Sequence, residues 1–189
     1  MKKLLLLAFA AFLGVFSLNG EETSALTGKF PAELINASGK KVSTASALQG
    51  KIVAIYFSAH WCGPCRAFTP QLAKFYKKVS KKQNVEIIFV SRDKSDSDMM
   101  KYMKSMPWLA IPFADAEFRD NLSREFKVRG IPSLIVLNEK GEMISSNARW
   151  DVVLLGEKAV NAWKKEDYKP MTYNDYKAQK ASSKKKRKK

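Results

Sequence analysis

Ile52-Val53-Ala54-Ile55-Tyr56-Phe57-Ser58-Ala59-His60-Trp61-Cys62-Gly63-Pro64-Cys65 runs from an unbroken apolar stretch into two cysteines separated by two residues. The run from Ile52 to Phe57, β-branched and aromatic but not alternating, predicts a strand covered on both faces. Downstream, Phe68, Leu72, Phe75, Tyr76 and Val79 recur at helical spacing and predict a helix from about Gly63 to Lys81, kinked or irregular at Pro70. The cysteines therefore stand where a strand gives way to a helix. There the backbone N–H groups lack intrahelical partners and the dipole is positive, and both favour thiolate over thiol. Cys62 is the candidate nucleophile. Cys65, three residues on and on the same face, is placed to attack a mixed disulfide formed at Cys62. Pro64 fits a first helical turn, where its missing N–H costs nothing, and Gly63 lets a partner backbone approach closely.

Three other readings of the pair are weaker. A structural disulfide across so short a loop constrains the unfolded chain little. A zinc site needs about four ligands, and this chain has only two cysteines and one histidine, His60. Covalent haem attachment requires His after the second Cys, where Arg66 stands. No metal site is expected, and no cofactor beyond a redox-active Cys62–Cys65 disulfide. His60 reads as a surface neighbour that modulates thiol reactivity.

Outward from this centre, Glu33 to Asn36 and Lys41-Val42, joined by Ala37-Ser38-Gly39-Lys40, read as a small N-terminal hairpin. Residues 47–51 read as a turn. Val85 to Val90 is a second buried strand, and Ser95 to Asp98 offers N-cap chemistry for a short helix over Met99 to Lys104. Met106 to Phe113 is apolar but contains two prolines, which predicts a packed loop. Asp120 to Lys127 reads as a helix and Ser133 to Leu137 as a third strand. A turn at Asn138 to Gly141 returns it antiparallel over Glu142 to Ser145. Asp151 is read as the cap of a final helix ending near Trp163. Phe57, Phe68, Phe75, Ile87 and Phe89 are core candidates. Strands alternating with helices and closed by a hairpin give an α/β fold: a central mixed sheet flanked by helices, with an N-terminal hairpin extension.

The composition, 46% hydrophobic and 28% charged in 189 residues, excludes a collagen-like, disulfide-scaffold or wholly disordered chain. The net charge of +16 is uneven, and half of it lies in residues 164–189, with 11 basic and 3 acidic residues. The division expected is an export signal over residues 1–25, a folded domain over 26–163, and a basic, disordered tail over 164–189 ending in a lysine run. Met1-Lys2-Lys3 followed by the apolar Leu4 to Leu18 and a polar exit matches a secretory signal, and is shorter than the roughly 20 residues a membrane-spanning helix needs. Such a protein would work outside the cytoplasm, in the periplasm or secreted.

Trp61-Cys62-Gly63-Pro64-Cys65 after a buried strand resembles the active site of the thioredoxin superfamily, and Gly130-Ile131-Pro132-Ser133 resembles its cis-proline loop. Tyr56 to Cys62, Cys65 to Leu72 and Met106 to Phe113 are similar to tryparedoxins and nucleoredoxins, a likeness spanning about residues 30–163. It implies a thioredoxin-like fold, Cys62 as attacking and Cys65 as resolving thiol, and Trp61 shielding the pair and contacting the partner. It also implies a cis Pro132 that holds Ile131 extended, so that its backbone pairs with a substrate segment. Two departures stand out. Those relatives usually carry Pro-Pro where this chain has Gly63-Pro64, as thioredoxins do. Thioredoxins also bury an Asp on the strand before the motif, where Tyr56 stands here, which leaves the proton acceptor for Cys65 unassigned.

The Gly-Pro dipeptide resembles the reducing branch, whose potentials lie at about −270 mV. The expected function is reduction of protein or peptide disulfides in exported proteins, with electrons from a membrane thiol carrier, because family relatives are mostly intracellular and their donors would be out of reach. The alternatives are an oxidase or isomerase, and a binding protein for nucleic acid or envelope polymers acting through the tail. No stacking pattern or phosphate loop accompanies that tail, so specific nucleic-acid binding is not expected, and contact with an anionic surface is the milder reading.

Overall fold

The computed structural model describes residue 26 and residues 28–186, so the expected export segment, residues 1–25, lies outside the described residues. In chain order the elements are β1 (Glu33–Ile35), β2 (Lys41–Ser43), α1 (Thr44–Leu48), β3 (Ile52–Ser58), α2 (Gly63–Val79), β4 (Val85–Ser91), α3 (Asp96–Met103), β5 (Leu109–Ala110), α4 (Ala116–Glu125), β6 (Ser133–Leu137), β7 (Met143–Ser145), α5 (Arg149–Leu155), α6 (Lys158–Trp163) and α7 (Tyr173–Lys186).

The strands form one seven-stranded sheet in the order β2-β1-β5-β4-β3-β6-β7. β3, β4 and β5 are parallel, while β6 and β7 on one side and β1 and β2 on the other are antiparallel, which makes the sheet mixed. β3 lies between β4 and β6, and every one of its residues is buried. Its side chains divide by the period of the strand. Ile52, Ala54 and Tyr56 join a core with α2, α3 and α6, and Val53, Ile55 and Phe57 join a second core with Leu26, Phe30, Leu48 and Leu122. This is why the run carries no alternation. Phe57, Phe68, Phe75, Ile87 and Phe89 are all buried in one of these two cores.

α2 continues through Pro70 without interruption. The hydrogen bond that Pro70 cannot donate would have gone to the carbonyl of Arg66, an exposed residue whose carbonyl water can satisfy.

Several expectations require correction. The turn expected over residues 47–51 is confined to Gln49 and Gly50, since Ala47 and Leu48 end α1, which was not expected. α3 begins at Asp96, three residues early, because Ser95 is the cap and its Oγ accepts from Asp98 N–H at 3.1 Å. The packed loop over Met106 to Phe113 contains β5, which pairs with β4 and, through Ile35 and Ala110, with β1. The N-terminal hairpin extends the main sheet at its edge. α4 starts at Ala116 rather than Asp120, and the final helix is broken at Gly156, whose φ of 56° favours glycine.

Two corrections concern the C-terminal part. Residues 173–186 are helical, not disordered, in α7. Thr172 N–H and Oγ1 each donate to Asp175 Oδ2 at 2.7 Å and Asp175 N–H donates back to Thr172 Oγ1 at 3.3 Å, a reciprocal cap. Trp150 stacks on Tyr176 at 4.9 Å and contacts Tyr173 at 5.3 Å, which fastens α7 to α5.

Asp151 is not a helix cap, since the N-cap position of α5 is Ala148. It is wholly buried, and its carboxylate accepts the indole N–H of Trp163 at 3.0 Å and the backbone N–H of Met171 at 2.7 Å. One side chain thus ties α5 to α6 and to the approach of α7. Asp151→Ala leaves these donors unpaired and is expected to destabilise the protein by about 2–4 kcal/mol. A urea titration should show a lower midpoint at unchanged slope, and an unmoved midpoint would remove this role.

Candidate active site

Cys62 and Cys65 are joined in a disulfide, with Cα atoms 5.2 Å apart. Cys62 is the N-cap of α2, with extended backbone (φ −84°, ψ 110°), and its Sγ accepts the backbone N–H of Cys65 at 3.3 Å. Gly63 and Pro64 occupy the first two helical positions, so the proline sits where no intrahelical donor is required. A thiolate at Cys62 would meet that N–H and the positive end of a 17-residue helix. Cys62 is 6% exposed and Cys65 fully buried, so of the two cysteines only Cys62 reaches the surface.

The loop before β6 closes the site from the other side. The Ile131–Pro132 peptide is cis, and the Ile131 carbonyl oxygen lies 3.7 Å from Cys62 Sγ. Ile131 packs against Ala59, Cys62 and Cys65. Trp61 is 59% exposed beside the disulfide and its indole N–H donates to the Arg92 carbonyl at 3.1 Å. A Cβ placed on Gly63 would meet nothing within 4 Å, which leaves open space on the approach to Cys62. Pro64 is exposed and borders a groove shared with Arg149, Trp150 and Tyr176. The structure therefore gathers Trp61, Cys62, Gly63, Pro64, Cys65, Ile131 and Pro132 at one end of the sheet.

Sequence reasoning missed the supports beneath them. Asp93, 7% exposed, accepts the backbone N–H of His60 at 2.7 Å and the hydroxyl of Ser91 at 2.9 Å, holding the turn that leads into the disulfide. The His60 ring lies against Tyr102, 5.6 Å between centroids.

Under Cys65, at the position raised by the absence of a buried Asp, stand four hydroxyls. Thr69 Oγ1 donates to the Cys65 carbonyl at 3.0 Å and lies 2.9 Å from Tyr56 OH and 2.6 Å from Tyr102 OH. Ser58 Oγ donates to Tyr56 OH at 3.0 Å and lies 3.2 Å from Tyr102 OH. Burial pushes the Tyr56 phenol well above its ordinary range, so it stays protonated at neutral pH. Through Thr69, which donates to the Cys65 carbonyl, the network clamps the first turn of α2. Thr69, four residues after Cys65, was open to detection as a back-bonding residue, whereas Tyr102 reaches the site only through the packing of α3 on the sheet. Among the described residues no three His, Cys, Asp or Glu side chains converge to hold a metal.

A cysteine pair capping a helix and facing a cis-proline loop over a mixed sheet defines the thioredoxin-like class of thiol–disulfide oxidoreductases, whose reactive group is the cysteine pair without a separate cofactor. The chain belongs to the thioredoxin-like family, whose model matches residues 50–143. It is 46% identical over 114 residues to a probable nucleoredoxin 1 of Arabidopsis thaliana, an alignment covering 60% of this chain and 20% of that protein. The chain thus spans about a fifth of the length of that relative. It is 45% identical over 121 residues to a tryparedoxin of Trypanosoma brucei brucei, covering 64% of this chain and 83% of the other. A tryparedoxin II structure complexed with glutathionylspermidine superposes with a TM-score of 0.69 at 37% identity, covering 78% of this chain and all of that one.

Proposed function

We propose that this protein is a dithiol reductase of disulfides in exported proteins, acting through Cys62 and Cys65. The observation that carries the reading is the disulfide itself: the sulfur of Cys62, the less buried of the two cysteines, caps α2, with the buried sulfur of Cys65 bonded to it. In the reduced form, the Cys62 thiolate attacks one sulfur of a substrate disulfide. The substrate S–S bond breaks, one substrate sulfur leaves as thiol, and the other is held on Cys62. The Cys65 thiolate then attacks Cys62 Sγ, releases the second substrate thiol and restores the disulfide, so two electrons pass from the protein to the substrate. A membrane thiol carrier would return those electrons outside the cytoplasm. The N–H of Cys65 and the helix dipole stabilise the attacking thiolate. Trp61 and the Ile131 carbonyl flank the sulfur, and the Ile131 backbone would align the substrate chain as an added strand.

The export assignment rests on the sequence of residues 1–25 alone. It is tested by expressing the full chain in a bacterium and asking whether the product loses this segment and is found outside the cytoplasm. The direction of electron flow is tested by equilibration of Cys62–Cys65 with glutathione buffers. A potential near about −270 mV is expected, and a value near about −120 mV would make the protein an oxidant and overturn the reductase reading. A disulfide of a peptide thiol such as glutathionylspermidine, the molecule bound to tryparedoxin II, is the small-molecule substrate to assay beside proteins.

A further inference from the structure

Two grooves meet at Ile131, one on each side of the segment that leads into the cis proline. The larger, about 720 Å³, is bordered by Lys127, Arg129, Arg149 and the cis-proline loop, with Glu125 as its single carboxylate. The smaller, about 280 Å³, lies between Trp61, Arg92, Arg129 and Ile131. Glu125 is engaged in an ion pair with Lys29, and Arg92 has Asp120 at 3.5 Å. Lys127 and Arg129 are exposed and, among the described residues, have no carboxylate within ion-pair distance.

Lys127 is informative for a second reason. It closes α4 in the left-handed conformation, φ 50°, which glycine adopts without strain and lysine does not. A charged side chain is kept at the rim of the larger groove against the preference of the backbone. The positive surface also continues past the disulfide. Tyr176 of α7 borders the groove that contains Pro64 and Arg149, and Lys177 and Lys180 sit 4.9 and 5.1 Å over the rings of Tyr173 and Tyr176.

We propose that this cationic collar selects acidic polypeptides: the disulfides this protein reduces lie in segments rich in Asp and Glu. The inference rests on the exchange chemistry proposed above and names its substrate class. A polypeptide fits better than a small anion because the cations lie in both grooves and extend to α7, and a chain paired with Ile131 would run through both. A polyamine conjugate would meet like charge at each of these positions. Rim charges of this kind act mainly on encounter, so they raise the second-order rate and are screened by salt.

The test uses the reduced full-length protein and synthetic peptides that share one disulfide loop, flanked by Asp/Glu, by Lys/Arg or by neutral residues. The acidic peptide is expected to be reduced about ten-fold faster than the basic one at 10 mM salt, and the preference should shrink to about two-fold at 0.3 M. In the double variant Lys127→Gly, Arg129→Ser the ratio of acidic to neutral rates, about three-fold in the unaltered protein, should fall by roughly two- to three-fold. Lys127→Gly suits the local backbone, so misfolding is not the expected cause. Equal rates for the acidic and basic peptides, or a preference indifferent to salt, would overturn the proposal. Oxidised glutathione reduced as fast as the acidic peptide and with the same salt dependence would overturn the polypeptide assignment. Charge-dependent binding to phosphatidylglycerol vesicles with no preference among peptides would make the collar a membrane contact and overturn it as well. If no peptide of any charge is reduced, the exchange chemistry itself falls, a result distinct from turnover without selectivity.

Discussion

Cys62→Ser is expected to lower disulfide reduction by roughly 10³-fold or more, because a serine hydroxyl is not appreciably ionised at neutral pH and cannot form the mixed disulfide. Loss of structure would not explain that result. Cys62 is the N-cap of α2, and serine is among the preferred N-cap residues, so the helix start should survive or improve. Cys65→Ser should behave differently. It retains attack by Cys62 but loses the resolving sulfur, so one substrate molecule should accumulate as a mixed disulfide on Cys62 while multiple turnover stops. Insulin reduction measures the first effect and mass spectrometry of the trapped adduct the second. If Cys62→Ser kept more than about a tenth of the wild-type rate, the nucleophile would have to be another group.

Trp108→Ala is expected to be the most destabilising single change in the core. Trp108 is 2% exposed and meets Tyr56 and Tyr76 edge-on, with ring centroids 6.0 and 5.8 Å apart. Truncation forfeits the burial of an indole and leaves a cavity, about 3–5 kcal/mol, and it removes two edge-to-face pairs worth about 0.5–1.5 kcal/mol each. Against the roughly 5–15 kcal/mol that hold a domain together, most of the stability is at stake. Thermal unfolding should move down by about 10 °C or more. Trp108→Phe is the informative companion, because it keeps a ring against both tyrosines and removes a buried indole N–H that has no partner. It should cost only about 1–2 kcal/mol. Near-equal losses for the two variants would show that the edge-on contacts carry little. Since Tyr56 also reaches the Cys65 carbonyl through its hydroxyl network, the alanine variant should loosen the first turn of α2 and slow resolution of the mixed disulfide.

The parts of the site legible in the sequence are those whose chemistry is local. Cys62, Gly63, Pro64 and Cys65 occupy one helical turn, and their roles follow from the helix start. Elements marked by unbroken apolar runs, β3 and β4, or by helical periodicity, α2, were also legible. What escaped is short or non-local. β5 is two residues long and exists only because it bridges β4 and β1. α7 was masked by the lysine run, although Thr172-Tyr173-Asn174-Asp175 carries a capping signature that the structure uses. Asp151, a plausible cap by position, is instead the buried acceptor shared by Trp163 and Met171, a pairing that depends on the break at Gly156.

The amino-acid sequence by itself determined the strand–cysteine–helix junction, the two-sided burial of β3 and the charge imbalance, because each depends on residues adjacent along the chain. Tertiary packing decided which groups face that junction from afar. The Ile131 carbonyl, 69 residues from Cys62, the Asp93 carboxylate, the Tyr102 hydroxyl and the cations at Lys127 and Arg129 converge there only once strands and loops are laid side by side. Spacing within a helix is fixed by its pitch, whereas contacts between elements are fixed by sheet order, which no local pattern encodes.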